Sequence, residues 1–213
     1  MKKKFGIAMG LLAAFILWTL AVYFVDVQTI GPEGSKVGFG TVNGYVHNLT
    51  GVNFALYTIT DWLGLVPVFV CMGFGILGLI QWIQRKNLFK VDFSILILGG
   101  FYIVTIAVFL FFETVVINYR PVLIDGYSEA SYPSSTTLLV MCVMPTAILQ
   151  LRSRIQNKVL QTIVIVAIVG FIAFMVIGRL ISGVHWLSDI IGGTLLSAGL
   201  VTLYDALTHK SFQ

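Results

Sequence analysis

A histidine followed four residues later by an aspartate, His185 and Asp189 in the stretch "GRLISGVHWLSDIIGG", is a pairing that can do chemistry. At a helix entrance the carboxylate approaches the imidazole, accepts the Nδ1 proton and leaves Nε2 free as a nucleophile or base. As a metal site the same pair is poor, because two ligands with no further His or Cys nearby do not make a zinc centre. Two arginines stand out beside it: Arg120, followed by Pro121 where an apolar run ends, and Arg179, six residues before His185. Planar guanidinium forks suit bidentate phosphate recognition better than lysines do, against the plainer reading of membrane-margin anchors or carboxylate partners. Together, a histidine nucleophile and two arginines imply phosphoryl transfer through a phosphohistidine. A third stretch, "ASYPSSTTLLV" at residues 130 to 140, sets turn formers and hydroxyls at the mouth of an apolar run. It reads as a helix N-cap and as a loop whose N–H groups and hydroxyls hold an anion.

The elements that must carry these residues are membrane spans. Of 213 residues 58% are hydrophobic and only 10% charged, and the mean hydropathy is +0.96, which excludes an ordinary soluble domain. Six segments reach the length of about 20 apolar residues that a bilayer requires: roughly 5 to 25, 63 to 83, 92 to 113, 134 to 151, 158 to 178 and 188 to 206. The expected fold is therefore all-α, one six-helix membrane domain over residues 1–213. With the N-terminus inside, the cytoplasmic segments receive Lys2, Lys3, Lys4, Arg85, Lys86, Lys90, Arg152, Arg154, Lys158 and Lys210, ten of the thirteen basic residues. The positive-inside rule then puts both termini in the cytoplasm and all three polar stretches on the outer face.

The first run is long enough to span and lacks a convincing cleavage site, so it is read as an uncleaved span. Between the first two spans, "KVGFGTVNGYVHNL" partly fits a helix lying on the membrane surface, with His47 a surface histidine. Cys71 and Cys142 sit in apolar runs and are expected to be plain buried residues.

The ordered set Arg120-Pro121, Pro133-Ser134-Ser135-Thr136, then Arg179 with His185 six residues on and Asp189 four after that, resembles the type 2 phosphatidic acid phosphatase superfamily. Its signature is K-x6-R-P, P-S-G-H and S-R-x5-H-x3-D. The resemblance implies that Arg120 and Arg179 grip the phosphate, Ser134 and the backbone around Ser135 complete the cradle, His185 attacks phosphorus and Asp189 orients it. It implies no metal and no cofactor. The partners expected are the bilayer and a phosphorylated lipid, with no nucleic acid. By analogy with bacterial members, the expected place is a plasma membrane and the first expected substrate undecaprenyl diphosphate, followed by phosphatidylglycerophosphate and phosphatidic acid.

Four positions depart from that signature. Gly178 stands where the family has serine, and Ser135 where it has glycine. Glu113 takes the place of the lysine seven residues before Arg120, on nearly the same helical face, where it pairs with Arg120, lies outside the phosphate shell or, if burial keeps it protonated, acts as a proton donor. Thr136 takes the place of the histidine that protonates the leaving oxygen. A threonine hydroxyl is a very poor acid near neutral pH, and loss of a general acid costs about 10²- to 10⁴-fold in rate. Two origins of Thr136 stay open, a natural variant with changed chemistry and a histidine replaced by design. The chain is thus expected to be a weakened lipid phosphatase, with a non-catalytic binder or transporter of phosphorylated lipids as the alternative.

Overall fold

The computed structural model describes residues 2–208, and Lys210 lies outside the described residues. Eight α-helices follow one another: α1 (Lys2–Phe24), α2 (Gly40–Thr50), α3 (Phe54–Leu63), α4 (Leu65–Arg85), α5 (Phe93–Thr114), α6 (Ser135–Arg154), α7 (Lys158–Ile181) and α8 (Leu187–Thr208). Six are long and apolar enough to cross a membrane, α3 and α4 counting as one run over Phe54–Arg85. They match the six expected spans to within a few residues, α3 excepted. Helices are the form such segments must take, because hydrocarbon offers no partner for a free backbone N–H or C=O.

Helices α6 and α8 are the centre, each about half buried, and α1 packs along α8. Phe15, Leu98, Phe101, Leu138, Leu196 and Tyr204 fill the space between α1, α5, α6 and α8. Outward, α1, α4, α5 and α7 carry exposed side chains such as Leu17, Phe69, Ile103 and Val166, a surface suited to lipid rather than water.

The two ends of the bundle differ. At one end lie Lys4, paired with Asp205 at 2.8 Å, and Asp92, which meets Arg85 at 2.9 Å and Arg154 at 3.5 Å. Buried Gln150 bonds Tyr204 and the Ser94 carbonyl just inside that end. At the other end the chain makes its long excursions, and the polar stretches singled out in the sequence meet there.

Two local expectations fail. Arg120 was expected at the tip of the third span, on one helical face with Glu113. Instead α5 stops at Thr114, and Arg120 lies on a hairpin-like excursion in which Tyr119 pairs with Ala130 and the Arg120 N–H bonds the Glu129 carbonyl at 3.0 Å. A short ladder, rather than Pro121, fixes the arginine. His47 is also no plain surface residue: its ring lies 5.5 Å from that of Trp186, and burial lowers its pKa. The half-fitting outer segment is a real helix, α2, anchored to α8 through buried Asn43.

Candidate active site

The site is assembled from four helix ends. His185 sits in the turn between α7 and α8, only 3% exposed, and Asp189 is fully buried in the first turn of α8. The turn is shaped by Gly183, whose φ of +68° favours glycine, and a Cβ there would collide with the Gly51 carbonyl. The Asn53 N–H bonds the Ser182 carbonyl at 3.0 Å, tying the turn to the start of α3.

Asn53 also caps α3 by accepting from the Leu56 N–H at 2.9 Å. Tyr57, Thr60 and Asp61, spaced so as to share one face of α3, are thereby presented to Arg179 at the end of α7. The Arg179 guanidinium lies 4.9 Å from the Tyr57 ring centre and that of Arg120 5.8 Å from it, so one aromatic ring lies close to two cations. Arg179 Nη1 donates to Thr60 Oγ1 at 3.4 Å. The closeness of α3 explains Gly178: a Cβ there would come within 2.9 Å of the Thr60 methyl, so a serine does not fit without a shift.

Both arginines meet carboxylates, Arg120 Nε with Glu129 at 3.0 Å and Arg179 Nη1 with Asp61 at 3.6 Å. Glu129 and Asp61 are 43% and 58% exposed, and ion pairs that open to water are worth only about 0–1 kcal/mol. The Arg120 Nε–H is off line for a hydrogen bond to Glu129, and among the described residues Arg120 Nη1 and Arg179 Nε are buried without partners. An unpaired buried donor is costly, and a bound anion is one group that could satisfy these. The expected Glu113–Arg120 pairing gives way to Glu129–Arg120, and Glu113 is exposed at the end of α5.

Ser134 occupies the N-cap position of α6, but its side chain makes no capping bond. Its N–H donates to the Asp189 carbonyl at 3.1 Å, and its hydroxyl accepts from Thr137 at 3.1 Å. The Ser134 backbone therefore joins α6 to α8, and the free donors of the helix start begin at Ser135. Thr136 is nearly buried in the first turn of α6. It lines a cavity of about 440 Å³ with Asp61, Leu65, Ile106, Phe109 and Leu110. Leu65, Ile106 and Leu110 are themselves exposed, so this apolar space opens sideways.

Around His185 the sequence missed several residues. His185 Nδ1 lies 3.0 Å from Ser131 Oγ but 3.9 Å from Asp189 Oδ2. Asp189 accepts from Ser131 Oγ at 2.5 Å and the Trp186 N–H at 3.0 Å on Oδ2, and from Asn118 at 3.1 Å and Ser188 at 3.3 Å on Oδ1. Asn43 reaches Ser188 in turn, at 2.9 Å. Among the described residues His185 Nε2 is buried without a partner, and the imidazole is held well below its ordinary pKa by burial first and then by the Arg120 and Arg179 charges. A neutral ring with an unpartnered nitrogen near two cations can serve as a nucleophile.

A family model described as the PAP2 superfamily matches residues 68–212. The chain is similar in structure to a transmembrane PAP2 type phosphatidylglycerolphosphate phosphatase from Bacillus subtilis, with a TM-score of 0.65 and 16% identity over 95% of this chain and 96% of that one. At that identity the likeness is one of fold. Among curated proteins none matches significantly.

Proposed function

We propose, from the premise that the chain belongs to the PAP2 superfamily, that it is a membrane lipid phosphatase acting through a phosphohistidine on His185. The observation that carries this reading is the buried Nε2 of His185, without a partner among the described residues, within reach of the charges of two buried arginines that both approach the Tyr57 ring. In the first step Nε2 attacks phosphorus and the N–P bond forms as the P–O bond to the lipid breaks; a lipid monophosphate leaves as the anion, whereas a lipid alkoxide must take its proton from water, Thr136 offering none. Water then attacks the phosphohistidine and releases inorganic phosphate. Arg120 and Arg179 hold the equatorial oxygens, with the first N–H groups of α6 and Ser135 completing the cradle, and stabilise charge as it moves. The Ser134 backbone takes the tying role described above instead. The sideways apolar cavity beside Thr136 supplies room for a hydrocarbon chain next to the reacting phosphate.

Within this class a diphosphate, with undecaprenyl diphosphate as first choice, fits the chain better than a monoester. Thr136 provides no general acid, and a lipid monophosphate leaving from a diphosphate is a far weaker base than a lipid alkoxide. The site end of the bundle is assigned to the extracytoplasmic side, since the basic residues gather at the opposite end. A bacterial plasma membrane is the setting this reading takes.

The test is phosphate release from a prenyl diphosphate and from a phosphatidate, by the chain with Thr136 and by Thr136→His. Restoring the acid should raise turnover about 10²- to 10⁴-fold on the monoester and distinctly less on the diphosphate. Equal gains on both would contradict the substrate argument. Thr136 also favours a second reading, a phospholipid- or prenyl-phosphate-binding relative without catalysis. Absence of any His185-dependent release from Thr136→His would establish it in place of the enzyme.

A further inference from the structure

We propose that Ser131 is the positioning residue through which Asp189 orients and tunes His185, so that the nucleophile is held by a relay of Nδ1–H to Ser131 Oγ–H to Asp189 Oδ2 rather than by the aspartate directly. The inference deepens the phosphatase reading above and rests on it.

The geometry points to one proton arrangement. Asp189 receives donors on both oxygens: the Trp186 N–H at 3.0 Å, an Asn118 amide N–H at 3.1 Å and the Ser188 hydroxyl at 3.3 Å. It is thus an acceptor toward Ser131, and the single Ser131 proton is spent on the 2.5 Å bond to Oδ2. Toward His185, 3.0 Å away, the Ser131 oxygen is then an acceptor, so the ring proton sits on Nδ1 and Nε2 carries the lone pair. The direct His185–Asp189 separation of 3.9 Å is too long for a hydrogen bond. When Nε2 bonds to phosphorus the ring becomes cationic, and the Nδ1–H bond through Ser131 brings the carboxylate to bear on that charge.

Ser131 is itself locked. It is 2% exposed, its N–H bonds the Asn118 carbonyl at 2.9 Å, and Asn118 is one of the Asp189 donors, which closes the ring of contacts. The hairpin-like excursion after α5 therefore bears on the nucleophile, although none of its residues between Tyr119 and Ser131 touches the imidazole by hydrogen bond.

The test is carried out in Thr136→His, where turnover is fast enough to lose. Ser131→Ala should lower kcat by ~10²-fold, the scale of a misplaced reacting group, with KM within about two-fold. Ser131→Thr, which keeps the hydroxyl, should recover most of the loss. Solution or solid-state ¹⁵N spectra of His185 provide a readout that needs no turnover: the protein with Ser131 shows the Nδ1–H tautomer, and Ser131→Ala shows a mixture or the Nε2–H form. A kcat for Ser131→Ala within two-fold of its parent, or an Nε2–H tautomer with Ser131 in place, overturns the proposal. If Ser131→Ala fails to melt cooperatively, the tautomer of the Ser131 protein decides alone. Loss of the phosphatase reading is a separate outcome, recognised by the absence of His185-dependent phosphate release from Thr136→His itself.

Discussion

The imidazole of His185 is buried beside two permanent cations, and both circumstances disfavour its protonated form. The sign of the consequence is definite: a lowered pKa means that the neutral, nucleophilic ring survives as pH falls through the ordinary histidine range near 6.5. The kcat/KM for a prenyl diphosphate, which reports the free enzyme, should therefore hold its plateau through pH 6.5 and fall only in more acidic solution, and an acid limb centred at or above 6.5 would contradict this placement. The grouping of His185, Asp189, Arg120 and Arg179 was legible in the sequence because their types and spacing suit phosphate chemistry. Ser131 lay in plain view two residues before Pro133, yet its use is visible only once His185, 54 residues away, is 3.0 Å from it. Asn43 and Tyr57 were equally silent, because a contact between distant segments leaves no period or spacing to read. Glu113 was misjudged for a different reason: its seven-residue distance from Arg120 suggested a shared helical face, and the helix ends one residue after it.

At the scale of elements, apolar length alone marked the six spans, since lipid leaves a chain of such composition little choice but a helix. In the sequence helix α3 reads as part of the outer segment before the second span, because its polar Thr58, Thr60 and Asp61 break the apolar run, yet only the break at Gly64 separates it from α4. The hairpin-like excursion that carries Arg120 was hidden by the expectation that Pro121 ends a helix. Two glycines report close approaches that composition does not reveal, Gly178 against Thr60 and Gly183 against the Gly51 carbonyl. Gly183 is the more demanding, since its left-handed backbone and the neighbouring carbonyl both oppose a side chain. Gly183→Ala should cost about 1–3 kcal/mol and displace the turn that holds His185. A lower midpoint of thermal unfolding in detergent, together with lost phosphate release, is the expected result; a melt and a rate like those of the unaltered chain would refute the role given to this turn.

For the molecule as a whole, Lys4, Arg85 and Arg154 lie at the end of the bundle opposite the site, and this is the ground for the proposal that the site is extracytoplasmic. With Cys71 and Cys142 replaced by alanine, an impermeant maleimide applied to intact cells should label Tyr127→Cys, on the excursion at the site end, and spare Phe89→Cys at the basic end. Both positions are exposed, so the reverse pattern would invert the topology. The central claim, however, is the bond that forms between His185 and phosphorus, and it is tested most directly by trapping that bond. A prenyl diphosphate labelled in its terminal phosphate is mixed briefly with the protein and quenched in alkali, in which phosphohistidine survives. Alkali-stable, acid-labile label should appear on the chain with Thr136 and on Thr136→His, map to His185, and vanish in His185→Ala. Turnover without such label, or label that persists in His185→Ala, would contradict the account.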